Sequence, residues 1–230
     1  MKNILQPTLI LAAVALVCAV ALSQVQKLTA PYLEAQKKRK EAASLAMVLP
    51  GYEVGPQVRA DVEGKPFEYW EGVKKQGDGT ESKAYAFKTS FPGYGGPVES
   101  MVGVDDKGIV IAITILQQNE TPGLGSVCAE AETGQTLWGA LTGSSRTKEA
   151  GTAPWFQRQF SGVDAGREIR LVKKGPWRPE LRDELLQENA VSALTGATIT
   201  STAVVRSVRE GFSRLVKARE QATAARESGR

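Results

Sequence analysis

Eight residues, Leu194-Thr195-Gly196-Ala197-Thr198-Ile199-Thr200-Ser201, set a glycine among several hydroxyls directly ahead of an apolar repeat formed by Val204, Val205, Val208, Phe212, Leu215 and Val216. That repeat has helical spacing, so the hydroxyls stand where a helix begins. Amides at a helix start carry partial positive charge and lack acceptors within the helix, so an anion fits there, and Gly196 lets a ligand approach the backbone. The same spacing also fits a plain N-cap, with Thr200 or Ser201 accepting from the first free amides. Thr195, Thr198, Thr200, Ser201 and Thr202 are all chemically able to form an ester. A second segment, Glu120-Thr121-Pro122-Gly123-Leu124-Gly125, combines one fixed dihedral with two permissive glycines. It reads either as a turn or as a rigid loop shaped to hold a flat ring.

Several chemistries are excluded by what the chain lacks. It has no histidine, which removes the commonest general base, the Ser-His triad and the commonest ligand of zinc and haem iron. Cys18 and Cys128 form no CxxC pair, and Cys18 lies within an apolar run. The valine of Leu16-Val17-Cys18 stands where a lipoprotein signal wants a small residue. A net charge of +4, with acids interspersed among the bases, argues against nucleic acid as a partner.

The elements that position these segments are legible in outline. Ile4 to Leu22 carries no charge; as a helix it spans about 28 Å, close to a hydrocarbon core. A retained anchor is expected, with a signal peptide cleaved near Ala21-Leu22-Ser23 as the competing reading. Residues 24–50 read as a helical stalk ending at Pro50-Gly51, and its run Lys37, Lys38, Arg39, Lys40 as a solvated face or a contact with anionic head groups. Set against Lys2, that cluster would by charge counting keep the following domain in the cytoplasm. Phe67 to Val73, Ala84 to Thr89, Val98 to Val104 and Ile109 to Leu116 are expected strands of one antiparallel sheet, and Glu168 to Lys173 is a further candidate. Asp105-Asp106-Lys107-Gly108 and Gly93-Tyr94-Gly95-Gly96-Pro97 mark turns. Helices are expected near Cys128 to Leu141 and from Ser201 to Lys217, then a frayed tail after Ala218.

Thr195-Gly196-Ala197-Thr198 resembles the (S/T)GAT motif of the FMN-binding domain family. With Gly93-Tyr94-Gly95-Gly96-Pro97, Glu120 to Gly125 and Trp155-Phe156-Gln157-Arg158-Gln159-Phe160, the chain is similar to the G subunits of Rnf ion-translocating electron transport complexes. The resemblance runs from the N-terminal span through the helix after Thr198. The C subunits of Na⁺-translocating NADH:quinone oxidoreductases share the ETPGLG and GAT patterns, but length and the WFxxF stretch favour the Rnf family. Ser192 and Asn119 stand where the family commonly has an acid and a histidine.

What the resemblance implies is an electron-carrying subunit, not a catalyst alone, with FMN joined to Thr198 as a phosphoester by a separate flavin transferase. Thr195, Gly196, Ala197, Thr200, Ser201, Glu120, Thr121, Gly123, Leu124 and Gly125 are then the expected cofactor-binding residues. Trp155, Phe156 and Phe160 are assigned mainly to the core. Other subunits of the complex, the flavin transferase and membrane lipid are the implied partners. The resemblance also sets the domain on the periplasmic side of a bacterial inner membrane, against the charge count. The expected architecture is α+β: an anchor (1–23), a stalk (24–50), an FMN-binding domain with a mainly antiparallel sheet flanked by helices (51–217) and a flexible tail (218–230). Two other readings stay open, a binding module for a phosphorylated ligand and a structural anchor with a decayed flavin site.

Overall fold

The computed structural model describes residues 2–75, 79–130, 153–175 and 178–228. One helix, α1, runs Lys2–Val48. The chain divides into a unit Met1–Ala43 and a second unit Ser44–Arg230, so the last turn of α1 belongs to the second unit and not to a separate stalk. Within the first unit the apolar side chains Leu9, Leu11, Leu16, Val17 and Leu22 are exposed.

The second unit is built on a six-stranded antiparallel sheet: β1 (Glu53–Val54), β2 (Val58–Val62), β3 (Lys65–Lys75), β4 (Glu81–Pro92), β5 (Pro97–Asp105) and β6 (Val110–Gln117). Its order is β1-β3-β4-β5-β6, with β2 also pairing with β3. The four expected strands are all present. The two short strands β1 and β2 lie outside the expected set; β2 joins β3 through Glu63 and Gly64, both at positive φ, as a two-residue hairpin turn requires. At the hairpin between β5 and β6, Oδ1 of Asp105 accepts the amides of Lys107 (2.9 Å) and Ile109 (2.8 Å).

Alternation along β4 sorts the two faces. Tyr85 and Phe87 join the larger core with Phe67, Tyr69, Val102, Ile113 and, from the C-terminal helix, Val204, Val208 and Leu215. Ala84 and Ala86 face the other way, under Val48, Leu49, Trp70 and Met101. The C-terminal helix can lie close on the sheet because its residue 211 is glycine: a Cβ there would stand 2.3 Å from Cε2 of Phe87.

The remaining elements are short. A helix α2 (Trp155–Arg158) and a parallel pair β7 (Arg170–Val172) and β8 (Ala190–Ser192) are connected by way of α3 (Arg182–Gln187). The expected strand at 168–173 is thus β7, trimmed at both ends. Asn189, at φ 47°, turns the chain into β8; its amide donates to the carbonyls of Asp164 and Glu168, and its Oδ1 accepts from the Asp164 amide. β8 leads directly to the threonine-rich segment and to α4, Thr198–Ser228.

Two expectations about α4 are corrected. It begins at Thr198 rather than near Ser201, and it continues to Ser228 rather than fraying after Ala218. Residues 219–227 have no apolar side chain larger than alanine, but Arg, Glu, Gln and Ala are strong helix formers, Ala218 is buried, and the Arg219 guanidinium lies 4.0 Å from the Tyr85 ring centroid. The helix expected from Cys128 to Leu141 falls mostly outside the described residues; Cys128 itself ends a 3₁₀ turn, Gly125–Cys128.

Candidate functional site

The loop after β6 and the start of α4, far apart in sequence, wall one groove of about 580 Å³. Glu120, Thr121, Leu124 and Gly125 come from the loop, and Gly196, Ala197, Thr198 and Thr200 from the second segment. Two residues outside the expected set complete it, Tyr94 from the turn between β4 and β5 and Ile199 from the first turn of α4. Tyr94, Leu124 and Ile199 are exposed large apolar side chains, and all three line this groove. Exposure is a tertiary property, so no spacing pattern could have picked out Tyr94 or Ile199.

Glu120 holds the three walls together. Its side chain is 6% exposed; Oε1 accepts the Gly95 amide at 3.1 Å, and Oε2 accepts the Thr200 hydroxyl. A carboxylate satisfied in this way is stable out of water, whereas an unpaired one is costly there. Gly125 lies tight against the same pair: a Cβ on it would come within 2.5 Å of Oε2 and 2.7 Å of Thr200 Oγ1. The close approach it permits therefore includes the protein's own clasp. Gly123 is different, with open space around it and φ +73°; it does not line the groove, and its amide donates to Ser126 Oγ at 3.0 Å.

The hydroxyls of the second segment separate by environment. Thr200 is fully buried and spent on Glu120. Ser201 is also buried; its Oγ accepts from the Leu194 amide and donates to the Ala197 carbonyl, both 2.9 Å. Neither caps the first amides of α4, so the plain N-cap reading is not what the chain does. Thr202 donates to the Thr198 carbonyl. Thr195 and Thr198 are exposed. Thr195 lies outside the large groove, on a smaller one of about 390 Å³ that also includes Thr198 and Gly196.

Beneath the site the WFQRQF stretch does two jobs. Phe156 and Phe160 are fully buried and Trp155 nearly so; their edge contacts, at 5.7 and 5.6 Å between centroids, belong to the core. None of the three lines the groove. The glutamines between them matter to the site although nothing in the sequence marks them: Gln159 exchanges two bonds with the backbone of Ser192, and Gln157 donates to the Cys128 carbonyl at 2.8 Å. The short helix and its C-cap residue thus fix both the strand that precedes Thr195 and the turn that follows the glycine loop. Ser192 is itself fully buried, its hydroxyl donating to the Gly175 carbonyl. Cys128 is buried as well, and burial together with the nearby Glu120 and Glu130 carboxylates pushes its thiol up to about 12.

Comparison with known proteins places this arrangement. The FMN-binding domain family matches residues 93–213, and the RnfG N-terminal region matches residues 1–48. The G subunit of the Na(+)-translocating ferredoxin:NAD(+) oxidoreductase complex of Acetobacterium woodii is 30% identical over 219 residues, 90% of this chain and 89% of its own. This chain belongs to the RnfG family of FMN-binding domain proteins. The G subunit of the ion-translocating oxidoreductase complex of Pasteurella multocida is 26% identical, over 79% of this chain and 95% of that one. Among solved structures, the C subunit of a Na(+)-translocating NADH-quinone reductase from Parabacteroides distasonis is 24% identical and covers 65% of this chain and 62% of its own, at a TM-score of 0.42.

RnfG proteins belong to membrane complexes, and the N-terminal region here fits. It holds the one helix, among the described residues, that is long and apolar enough to cross a membrane. The groove suits FMN in its chemistry. Leu124, Ile199 and the Tyr94 ring offer apolar surface to a flat ring, and the first amides of α4 carry the partial positive charge that a phosphate needs.

Proposed function

We propose that this chain is the flavin-bearing electron-transfer subunit of an Rnf-type complex, one that couples ferredoxin and NAD⁺ redox chemistry to Na⁺ or H⁺ movement, and that Thr198 carries FMN through a phosphoester. The position of Thr198 carries the reading. It is exposed, it opens α4, and it lies on the wall of the groove. The hydroxyls of Thr200, Ser201 and Thr202 are engaged elsewhere, and Thr195 is off the large groove.

Bound FMN supplies the redox chemistry, and the chain supplies position and electrostatics. Thr198 would anchor the cofactor, Tyr94, Leu124 and Ile199 would offer it apolar surface, and Glu120 keeps the walls in register. Attachment is the work of a flavin transferase using FAD: a bond forms from Thr198 Oγ1 to phosphorus, the pyrophosphate bond breaks, AMP leaves, and the transferase accepts the hydroxyl proton. Threonine is a poor nucleophile unaided, so the activating base belongs to that enzyme. The domain is assigned to the periplasmic side of the inner membrane, with neighbouring subunits as redox partners. Lys37, Lys38 and Arg39, all exposed, suit anionic lipid head groups. The span from Ile4 to Leu22 has no charged residue, so that span supplies no ion pathway.

The test is fluorescence of the denatured protein on a gel under ultraviolet light, after export and co-production with a flavin transferase. A fluorescent band in the wild type that is lost in Thr198→Ala is expected. A wild-type band without fluorescence would favour instead a binding module or a bare structural anchor.

A further inference from the structure

Thr198 lies on the wall of two grooves. The larger is flanked by Tyr94, Leu124 and Ile199. The smaller is lined by Lys173, Gly175, Ala193, Leu194 and Thr195 besides Gly196 and Thr198, and Lys173 is the one charged side chain among these. Its place is set by backbone pairing. Val172 is in register with Ser192 in the parallel pair, and the Ala193 amide donates to the Val172 carbonyl at 2.7 Å. Lys173 therefore leaves β7 beside the residues that run into Thr195. On the other strand, the reciprocal Gln159–Ser192 bonds hold β8 in place.

The lysine is also uncommitted. Its neighbour Lys174 is engaged by Glu184, whereas Lys173 is exposed and pairs with no carboxylate among the described residues. A phosphodiester keeps one negative charge, and the first turn of α4 offers only partial charges to meet it. An ammonium on a flexible four-carbon stem can supply the full counter-charge over a range of positions.

We propose that Lys173 is the counter-ion of the phosphodiester on Thr198, so that the two grooves divide the cofactor: the apolar one takes the ring and the smaller one the phosphate charge. This rests on the reading that Thr198 carries FMN. It adds a binding residue outside both motif segments, the one that directly follows β7.

The test uses the full-length wild-type chain produced with and without a flavin transferase, labelled briefly with an amine-acetylating reagent and read peptide by peptide by mass spectrometry. Lys173 labelling should fall several-fold in the flavin-loaded protein relative to the unloaded one, while the exposed Lys107 labels equally in both. Equal labelling of Lys173 in the two forms overturns the proposal. A third arm adds inorganic phosphate to the unloaded chain; protection there as strong as in the loaded form would mean a general anion site independent of Thr198, and would also overturn it. The same spectra locate the flavin, so a failure of the attachment reading is seen separately: FMN on another hydroxyl sinks that reading and this inference with it.

Discussion

The Thr200 hydroxyl donates to Glu120 Oε2 although the two residues are 80 positions apart, and both are buried. With the Gly95 amide on Oε1, one carboxylate closes the glycine loop onto the start of α4 and onto the turn between β4 and β5. The groove exists because that junction holds.

Glu120→Ala strands the buried Thr200 hydroxyl and frees the part-buried Gly95 amide, and Thr200→Val strands one carboxylate oxygen; each should cost about 1–3 kcal/mol of stability. Because the two side chains meet, the double variant should lose less than the sum. Urea denaturation of the four proteins measures the coupling, and strict additivity would show that the contact contributes nothing.

The two loop glycines should respond differently to alanine. A methyl on Gly125 meets Glu120 and Thr200 at 2.5–2.7 Å, so Gly125→Ala should distort the groove and sharply lower flavin loading. Gly123→Ala meets no neighbour but must keep φ +73°, a left-handed strain of about 1–2 kcal/mol. Loading measured against melting temperature separates them. Normal loading in Gly125→Ala would remove the clasp from the account.

Thr198→Ala should abolish covalent flavin and leave the fold intact, because an exposed side chain at a helix start typically changes stability by no more than about 0.5 kcal/mol. Thr198→Ser keeps a hydroxyl and should load more slowly. Peptide mass spectrometry decides: FMN found on Thr195 would move the anchor to the smaller groove.

Cys128 makes stability fall in alkali. Its thiol titrates near 9.0 when unperturbed and near 12 in the folded chain, so between those values the unfolded state loses a proton that the native state keeps. The contribution is complete below pH 9 and declines as pH rises toward 12. Cys128→Ala should flatten that part of the stability profile relative to wild type. An unchanged slope in the variant would assign the decline to other groups.

Local patterns in the sequence determined much of this protein. Ile4 to Leu22 is apolar enough to form a helix whatever follows it, and the four long strands follow from alternation and turn residues that act over a few positions. The segments 120–125 and 195–201 stand out because glycines and hydroxyls next to an element boundary constrain the backbone locally, but that pattern fits a plain turn and a plain N-cap equally, and it is the resemblance to the FMN-binding domain family that makes them candidate sites. The extent of α4 is not legible from polarity, because helix propensity carries it past Ala218 to Ser228 through residues with no apolar side chain larger than alanine.

Tertiary structure alone decided how those segments meet. No local rule pairs Glu120 with Thr200, seats Gln157 and Gln159 under both loops, or leaves Tyr94 and Ile199 in solvent at the groove, since each depends on the sheet bringing distant chain together. Among the hydroxyls the motif resemblance had already singled out Thr198; what the fold adds is that Thr200 is buried against Glu120 while Thr198 is exposed at the first turn of α4.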